Sequence, residues 1–263
     1  MWPLGVSRAS GLFSSGCSGL LLHPFSTFFT PAGPIGDTTV CTVSLAPRGR
    51  PSEMRLDGKS LAEMASRQRA ALVNSLSGFK SANLIGTTAA SSQDNLSIVS
   101  SVVHLGSHPP LLALVVRPGG DERHTLANIL ATQQYSINHV THDIVEAAHQ
   151  TAARYPQHIS EFEATGLTPE WWPGFNAPLV SEASVKLAMQ LREHQELAIN
   201  GTHLVIGEVI GLEVPDQSIN HDFSLDLIAT GTTALSGLDS YHSVQLEKKM
   251  AYAKPDVPPR TVL

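Results

Sequence analysis

The chain has 263 residues, a net charge of −6, 42% apolar residues and 15% charged residues. This composition is that of a folded globular protein rather than a disordered one, and the length allows one large domain or two small ones. No run of Lys or Arg is long enough to follow a phosphate backbone, so we expect no nucleic-acid partner. Both cysteines, Cys17 and Cys41, lie in the first fifty residues. Disulfide, thiolate-metal and cysteine-nucleophile chemistry is therefore excluded from the rest of the chain.

Residues 1–53 differ from the rest in being rich in Ser, Thr, Gly, Pro and Phe, with no helical or strand period. This leader is either an organelle transit peptide or an upstream extension of a protein that starts at Met54. Its one apolar stretch, residues 19–25, is too short to span a bilayer. We therefore expect no membrane anchor, a folded domain over residues 54–263, and a cytoplasmic protein, with organelle import if the leader is a transit peptide.

The first predicted element is a helix over residues 60–74, with Ser60 as its N-cap and Glu63 three residues later. Residues 82–88 and 96–105 form apolar runs on either side of a polar turn and predict a β-hairpin. A third strand is expected over residues 111–116, after a pair of prolines.

A glycine turn then leads to a predicted helix over residues 124–132, a strand over 135–140, and a helix that Thr141 would cap and that runs to Ala153. Further strands are predicted over residues 185–191, 202–214 and 226–230. About six strands with few helices indicate a mainly β protein with a closed antiparallel barrel.

The common catalytic motifs are absent from the sequence, including the glycine-rich nucleotide loops, the zinc-protease motif and the hydrolase nucleophile elbow. Among the twelve histidines, the best group for a metal is His139, His142 and His149. No carboxylate completes that group on the same helical face, so we expect no metal site.

Two polar clusters carry the remaining chemistry. Residues 117–125 bring arginines, a glycine turn and a hydroxyl to the start of a helix, where free N–H groups attract anions. Asn95, Ser97, Ser100 and Ser101 interrupt an apolar strand, where small hydroxylated residues allow a flat ligand to approach the backbone. A capped helix with solvated arginines is the alternative explanation of the first cluster, and an exposed polar strand face is that of the second.

In this order, the two clusters and the sequences around them resemble the flavin reductase-like, FMN-binding split-barrel family, which includes flavoredoxin-like proteins. The resemblance extends over about residues 54–254 and rests on an ordered set of short segments: residues 79–87, 95–101, 109–111, 117–118, 123–129, 136–139, 160–167 and 204–209.

The resemblance implies a homodimer of six-stranded split barrels, each holding one FMN near the dimer interface and reduced by NADH or NADPH. By this match, Asn95, Ser97 and Ser100 line the isoalloxazine ring and ribityl chain. Lys80 and Thr125 are candidates for binding the phosphate. The remaining predicted flavin-binding residues are Ser101, Arg117, Arg123 and Asn128.

Three further residues are predicted on the substrate side of the flavin. Arg154 would pair with an anionic group of the substrate, and Tyr241 or His242 would cover the open face of the ring. Packing roles for the tyrosine and a helix-end role for the arginine are equally consistent with the sequence.

The leading hypothesis is thus an NAD(P)H-dependent flavin reductase that passes electrons to free flavin, a metal chelate or a partner oxygenase. The alternative is a non-catalytic FMN-binding electron carrier. A third hypothesis, a barrel that has lost its cofactor and serves as an interaction protein, is disfavoured because it leaves Asn95, Ser97, Ser100 and Thr125 without a role.

Overall fold

The computed structural model describes residues 53–119 and 124–262 of the chain, and its main compact unit begins at Arg55. The predicted leader, apart from Glu53, lies outside the described residues, so the division of the chain at residue 54 stays a prediction. No helix in the described ranges is long and apolar enough to cross a membrane.

Five α-helices are present in the described residues: α1 (Gly58–Glu63), α2 (Ser66–Ser75), α3 (His124–Thr132), α4 (Val145–Gln150) and α5 (Glu161–Thr165). The strands are β1 (Lys80–Ser81), β2 (Asn83–Thr88), β3 (Asp94–Val99), β4 (Val102–Ser107), β5 (Pro110–Val116), β6 (Gln134–His139), β7 (Pro169–Glu170), β8 (Leu179–Val180), β9 (Lys186–Leu197), β10 (Thr202–Glu213), β11 (Ala234–Ser236) and β12 (Ser240–His242).

The main sheet is antiparallel and has seven strands in the order β3-β2-β6-β9-β10-β5-β4. Its two edge strands, β3 and β4, follow each other in the chain and are joined only by Ser100 and Ser101. Because two residues span only a few ångströms, the edges of the sheet must meet there, and the sheet curls into a barrel. The edges do not pair with each other, so the barrel is split at this point.

The interior of the barrel is filled by a cluster that includes Ile85, Leu114, Tyr135, Met189 and Val205, all almost fully buried. A second cluster lies between the outer face of β2 and β3 and the short helices α4 and α5. β2 is thus buried on both faces: Leu84 packs in the outer cluster and Ile85 in the barrel interior, and the polar Asn83 and Thr87 of the same strand are buried as well.

The predicted strand over residues 96–105 is wrong in one respect: it is two strands. β3 pairs with β2 and β4 pairs with β5, so the chain crosses from one edge of the sheet to the other at Ser100–Ser101. Ser101 anchors the crossing, since its Oγ donates to Val115 O at 2.7 Å and its carbonyl accepts from Val115 N at 3.2 Å. The split also accounts for a main sheet of seven strands instead of the predicted six.

The predicted helix over residues 60–74 is also divided. Asp57, rather than Ser60, caps α1, because its carboxylate accepts from Ser60 N at 2.8 Å. The chain is extended at Met64 and Ala65 before α2 begins. The guanidinium of Arg69 donates to the carbonyls of Ala62 and Met64, which satisfies the end of α1 and stabilises the break.

Two predictions around the barrel need correction as well. Thr141 does not cap a long helix, because its side chain makes no capping bond and a 3₁₀ turn separates it from the short α4. Residues 226–230 form a turn instead of a strand. There the Asp226 carboxylate accepts from the backbone N–H groups of Ile228 and Ala229, both at 3.0 Å, which draws the chain out of an extended conformation.

Candidate functional site

A cleft of about 1190 Å³ opens at the split of the barrel, where β3 passes into β4. Its walls are the outer edge of β3, the start of α3, the chain that follows α4 and the turn between β11 and β12. Eight of the predicted site residues line it: Lys80, Asn95, Ser97, Ser100, Ser101, Arg117, Thr125 and Arg154.

The outer edge of β3 forms the floor of the cleft, because β3 pairs with β2 on one side only. Two of its edge N–H groups are bound by side chains: Leu96 N donates to Glu161 Oε2 at 3.0 Å, and Ile98 N donates to Thr151 Oγ1 at 2.9 Å. These bonds hold α5 and the end of α4 against the strand. The edge beyond Ile98, which carries Ser100 and Ser101, faces the cleft.

Asn95 stands at the centre of a buried polar network below the cleft. Its Nδ2 donates to Glu161 Oε2 at 2.7 Å, and its Oδ1 accepts from the hydroxyls of Thr125 at 3.0 Å and Thr87 at 3.3 Å. Since a hydroxyl has one proton, Thr125 uses its only donor on Asn95. Its side chain therefore presents lone pairs to any ligand, and only its backbone N–H is left to donate.

Glu161 is a site residue that the sequence analysis missed. It is 6% exposed and lines the cleft. Burial raises the pKa of this carboxyl group, although hydrogen bonds from Leu96 and Asn95 and the charge of His124 work in the opposite direction. An acidic residue in the first turn of a helix usually faces solvent, so nothing in the sequence distinguished this one.

Two of the cationic side chains that were predicted to bind the flavin line the cleft: Lys80, which was predicted to bind its phosphate, and Arg117. Lys80 Nζ donates to the carbonyls of Asn74 at 3.0 Å and Gly237 at 2.9 Å, which leaves one of its three N–H groups available. Arg117 is exposed at the end of β5 and lines both the cleft and a neighbouring cavity of about 390 Å³. Arg123, also predicted here, lies outside the described residues.

Three predicted residues have contacts away from the cleft. Asn128 is buried and does not line the cleft. Its Nδ2 donates to Thr87 Oγ1 at 3.1 Å, so Asn128 belongs to the hydrogen-bond network of Asn95. His242 Nε2 lies 2.8 Å from Ser236 Oγ, and its ring packs edge-on against Phe79. Tyr241 OH lies 3.0 Å from His149 Nδ1, and His149 is the member of that pair that lines the cleft.

No group of three or more His, Cys, Asp or Glu side chains within the described ranges is arranged to hold a metal ion. The three histidines considered above have separate surroundings. His139 Nδ1 lies 3.2 Å from Thr232 Oγ1, His142 packs beside Gly231, and His149 contacts Tyr241.

Comparison with known proteins agrees with this architecture. The sequence signature of the flavin reductase like domain matches residues 76–225, which is more than half of the chain. The chain belongs to the flavin reductase-like domain family. The matched range contains every strand of the split barrel and the whole floor of the cleft.

Solved members of this fold align over most of the flavin reductase-like chain. A Shewanella frigidimarina protein described as a flavin reductase with a split barrel domain is 50% identical, with a TM-score of 0.74 over 76% of this chain and 100% of its own. Component B of nitrilotriacetate monooxygenase from Bacillus cereus is 18% identical, with a TM-score of 0.67 over 76% of this chain and 99% of its own. The second likeness concerns the fold alone.

An uncharacterised protein of Aquifex aeolicus is 27% identical over 124 residues. That alignment spans 46% of this chain and 62% of the Aquifex protein, so it leaves more than a third of the relative unmatched. The mainly β split-barrel fold predicted from the sequence is confirmed by the matched signature and the Shewanella structure.

The cleft is large enough for a flavin mononucleotide, and its lining offers suitable chemistry. Its volume of about 1190 Å³ exceeds the ~300–1,000 Å³ typical of a small-molecule site. One wall offers small hydroxylated residues and strand backbone beside apolar Ile98 and Val99, which suits a flat ring with polar edges. Lys80, Arg117 and the start of α3 also line the cleft, and these groups suit a phosphate.

Proposed function

We propose that the protein is an FMN-binding oxidoreductase that takes electrons from NADH or NADPH and delivers them to free flavin or to a partner protein. The observation that carries the proposal is one cleft that is lined both by the polar residues of β3 and by Lys80, Arg117 and the start of α3. Family membership supports flavin as the ligand.

The chain's own residues would bind and orient the cofactor. Ser97 and Ser100 lie along the floor, where their hydroxyls and the strand edge offer hydrogen bonds to a ring laid on β3. Ser101 also lines the floor, but its hydroxyl proton is donated to Val115 O, so its side chain can only accept. Lys80 and Arg117 are the described cations in reach of a phosphate, together with the backbone N–H groups that begin α3. Thr125 contributes its N–H, because its hydroxyl proton is committed to Asn95.

The bound flavin supplies the redox chemistry, since it accepts a hydride from a reduced nicotinamide and passes the electrons on. The protein has to bring the two rings together and exclude water. Arg154 and His149 line the cleft on the side of α4 and are placed to contact the second nucleotide or the electron acceptor. No acid–base dyad is needed for this reaction.

The oligomeric state belongs to the same proposal. Val103 and Leu105 on β4 and Ile210 and Leu212 on β10 are each about half exposed on the barrel surface. Exposed apolar side chains on nearby strands are typical of a surface that a second subunit covers. We therefore propose a homodimer, which light scattering of the purified protein would test. A monooxygenase is one partner to examine, because the Bacillus protein is named as component B of nitrilotriacetate monooxygenase.

The function is tested by mixing the purified full-length protein with FMN, removing free flavin, and recording the absorbance spectrum and the flavin released on denaturation. NADH and NADPH oxidation is then followed with and without added flavin. About one FMN per chain with steady turnover supports the proposal. Bound FMN without turnover supports the electron-carrier alternative, and no bound FMN overturns both.

A further inference from the structure

Glu161 is a buried carboxylate whose charge lacks an ion-pair partner among the described Lys and Arg residues. A single oxygen, Oε2, accepts both Asn95 Nδ2 at 2.7 Å and Leu96 N at 3.0 Å. His124 is the ionisable group whose charge acts on it. Acidic residues are rarely buried without a cation or metal, because removing a charge from water is costly.

The carboxylate sets the direction of every hydrogen bond in the network above it. Because an ionised carboxylate only accepts, Asn95 must turn its NH₂ group toward Glu161 and its carbonyl oxygen toward Thr125 and Thr87. Thr87 Oγ1 in turn accepts from Asn128 Nδ2 at 3.1 Å. All of these hydrogen bonds therefore run toward Glu161, and the hydroxyl proton of Thr125 points to Asn95 and not into the cleft.

We propose that Glu161 is a positioning residue of the flavin site and the fixed negative charge that sets the reduction potential of the flavin bound there. This inference rests on the proposed function. A negative charge beside the cleft disfavours the addition of electrons to a ligand, and the effect is strong where water is excluded. The orientation of Asn95 and Thr125 determines which polar atoms the ligand meets.

The free-energy cost of ionising Glu161 distinguishes a role at the flavin site from a purely structural role. Burial raises the pKa of the Glu161 carboxyl group, so the folded protein holds its proton more tightly than the unfolded chain does. Ionisation at neutral pH therefore costs folding free energy. Glutamine at this position would avoid that cost and still accept from Asn95 and Leu96, so the charge itself, and not the hydrogen bonds, is what a purely structural role leaves unexplained.

The test uses four full-length proteins: the wild type, Glu161→Gln, Asn95→Asp, and the double variant Asn95→Asp with Glu161→Gln. Glu163→Gln is the matched control, because Glu163 is an exposed acid on the same helix. For each protein we would measure the dissociation constant for FMN, the midpoint potential of the bound FMN and the melting temperature of the flavin-free form.

Glu161→Gln keeps an oxygen that accepts from Asn95 and Leu96, so the flavin-free variant should melt at or above the wild-type temperature. The midpoint potential of its bound FMN should shift to a more positive value, because the negative charge is gone. Asn95→Asp places two carboxylates at hydrogen-bond distance, and FMN binding should weaken by about tenfold or more. In the double variant the charge repulsion is gone and the introduced amide can donate to the introduced carboxylate, but its nitrogen then faces Leu96 N, which loses its acceptor. Part of the lost affinity should therefore return.

Unchanged midpoint potential in Glu161→Gln, or additive losses of affinity in the double variant, would overturn the proposal. So would a lower melting temperature of flavin-free Glu161→Gln with an unshifted potential, since that result describes a structural residue. A wild type that binds no FMN would overturn the proposed function itself, and is thus distinguishable from failure of this inference alone.

Discussion

The Cα of Gly207 faces the buried phenol of Tyr135, and a Cβ at that position would overlap the phenol oxygen. Gly207 lies on β10 at a register shift against β9, and Tyr135 is fully buried inside the barrel. The phenol oxygen has no hydrogen-bond partner in the described part of the chain. The glycine therefore makes room for a large side chain whose hydroxyl group is buried without forming a hydrogen bond to the described residues.

Gly207→Ala should lower the free energy of unfolding by about 1–3 kcal/mol, because the barrel interior has to shift to accept the methyl group. Tyr135→Phe alone should leave stability unchanged or raise it, since it removes an unpaired buried hydroxyl. Tyr135→Phe should also recover part of the loss in Gly207→Ala. Urea unfolding of the two single variants and the double variant measures this coupling, and strictly additive effects would contradict it.

Lys186 is a second buried polar residue, and it joins the loop after α5 to the barrel. Its Nζ lies 2.8 Å from Glu213 Oε1 and also contacts Glu170 Oε2, while its side chain is only 7% exposed. Burial acts to lower the pKa of Lys186, but the hydrogen bonds to the two carboxylates outweigh it and raise the pKa. The ammonium group thus stays charged inside the protein.

Lys186→Met should destabilise the protein by about 1–3 kcal/mol, because Glu170 and Glu213 would lose their shared cation. Lys59→Met is the matched control, since Lys59 and Glu63 form an exposed pair at 3.9 Å. That change should alter stability by less than about 0.5 kcal/mol. Equal effects of the two substitutions in urea unfolding would show that burial of Lys186 is unimportant.

His139 should make the fold sensitive to acid. Burial lowers its pKa from 6.5 to about 4, so the unfolded chain binds a proton more readily than the folded protein between these values. Stability contributed by the neutral ring is complete above about pH 6.5 and is lost as the pH falls towards about 4. The free energy of unfolding should drop by about 2 kcal/mol between about pH 7 and pH 5 from this residue.

His139→Gln should flatten that part of the pH–stability curve, because glutamine does not titrate and still reaches a polar partner such as Thr232. His158→Gln is the control, since His158 is exposed and should leave the curve unchanged. Denaturant unfolding at several pH values measures both. If His139→Gln kept the wild-type slope, acid sensitivity would have to come from other groups.

The double substitution Ser100→Leu with Thr125→Val should abolish flavin binding while the fold persists. The larger side chain at Ser100 blocks the close approach of a ring to the cleft floor, and Thr125→Val removes the hydroxyl that bonds Asn95. Ser107→Leu on the exposed end of β4 is the control for the larger side chain. Flavin content after reconstitution and circular dichroism measure the two properties, and unchanged flavin content would refute the assignment of the cleft.

The sequence by itself determined the local elements and the chemistry of one strand. The helix at His124–Thr132 followed from the glycine turn before it and from its apolar spacing, and the polar residues Asn95, Ser97 and Ser100 stood out against an apolar run. These signals depend on residues a few positions apart, which periodicity and turn chemistry report directly. The family resemblance depended on the same short segments.

Only the tertiary structure decided which distant residues complete the site. Glu161 is 66 positions from Asn95, and Lys80 is 157 positions from Gly237, yet both pairs are in hydrogen-bond contact. The order of the strands in the curled sheet brings these segments together, and no local pattern encodes that order. The separation of β3 from β4 has the same origin: Ser100 and Ser101 lie between two apolar segments that read as one strand in the sequence, and the chain turns there because the two edges of the barrel meet.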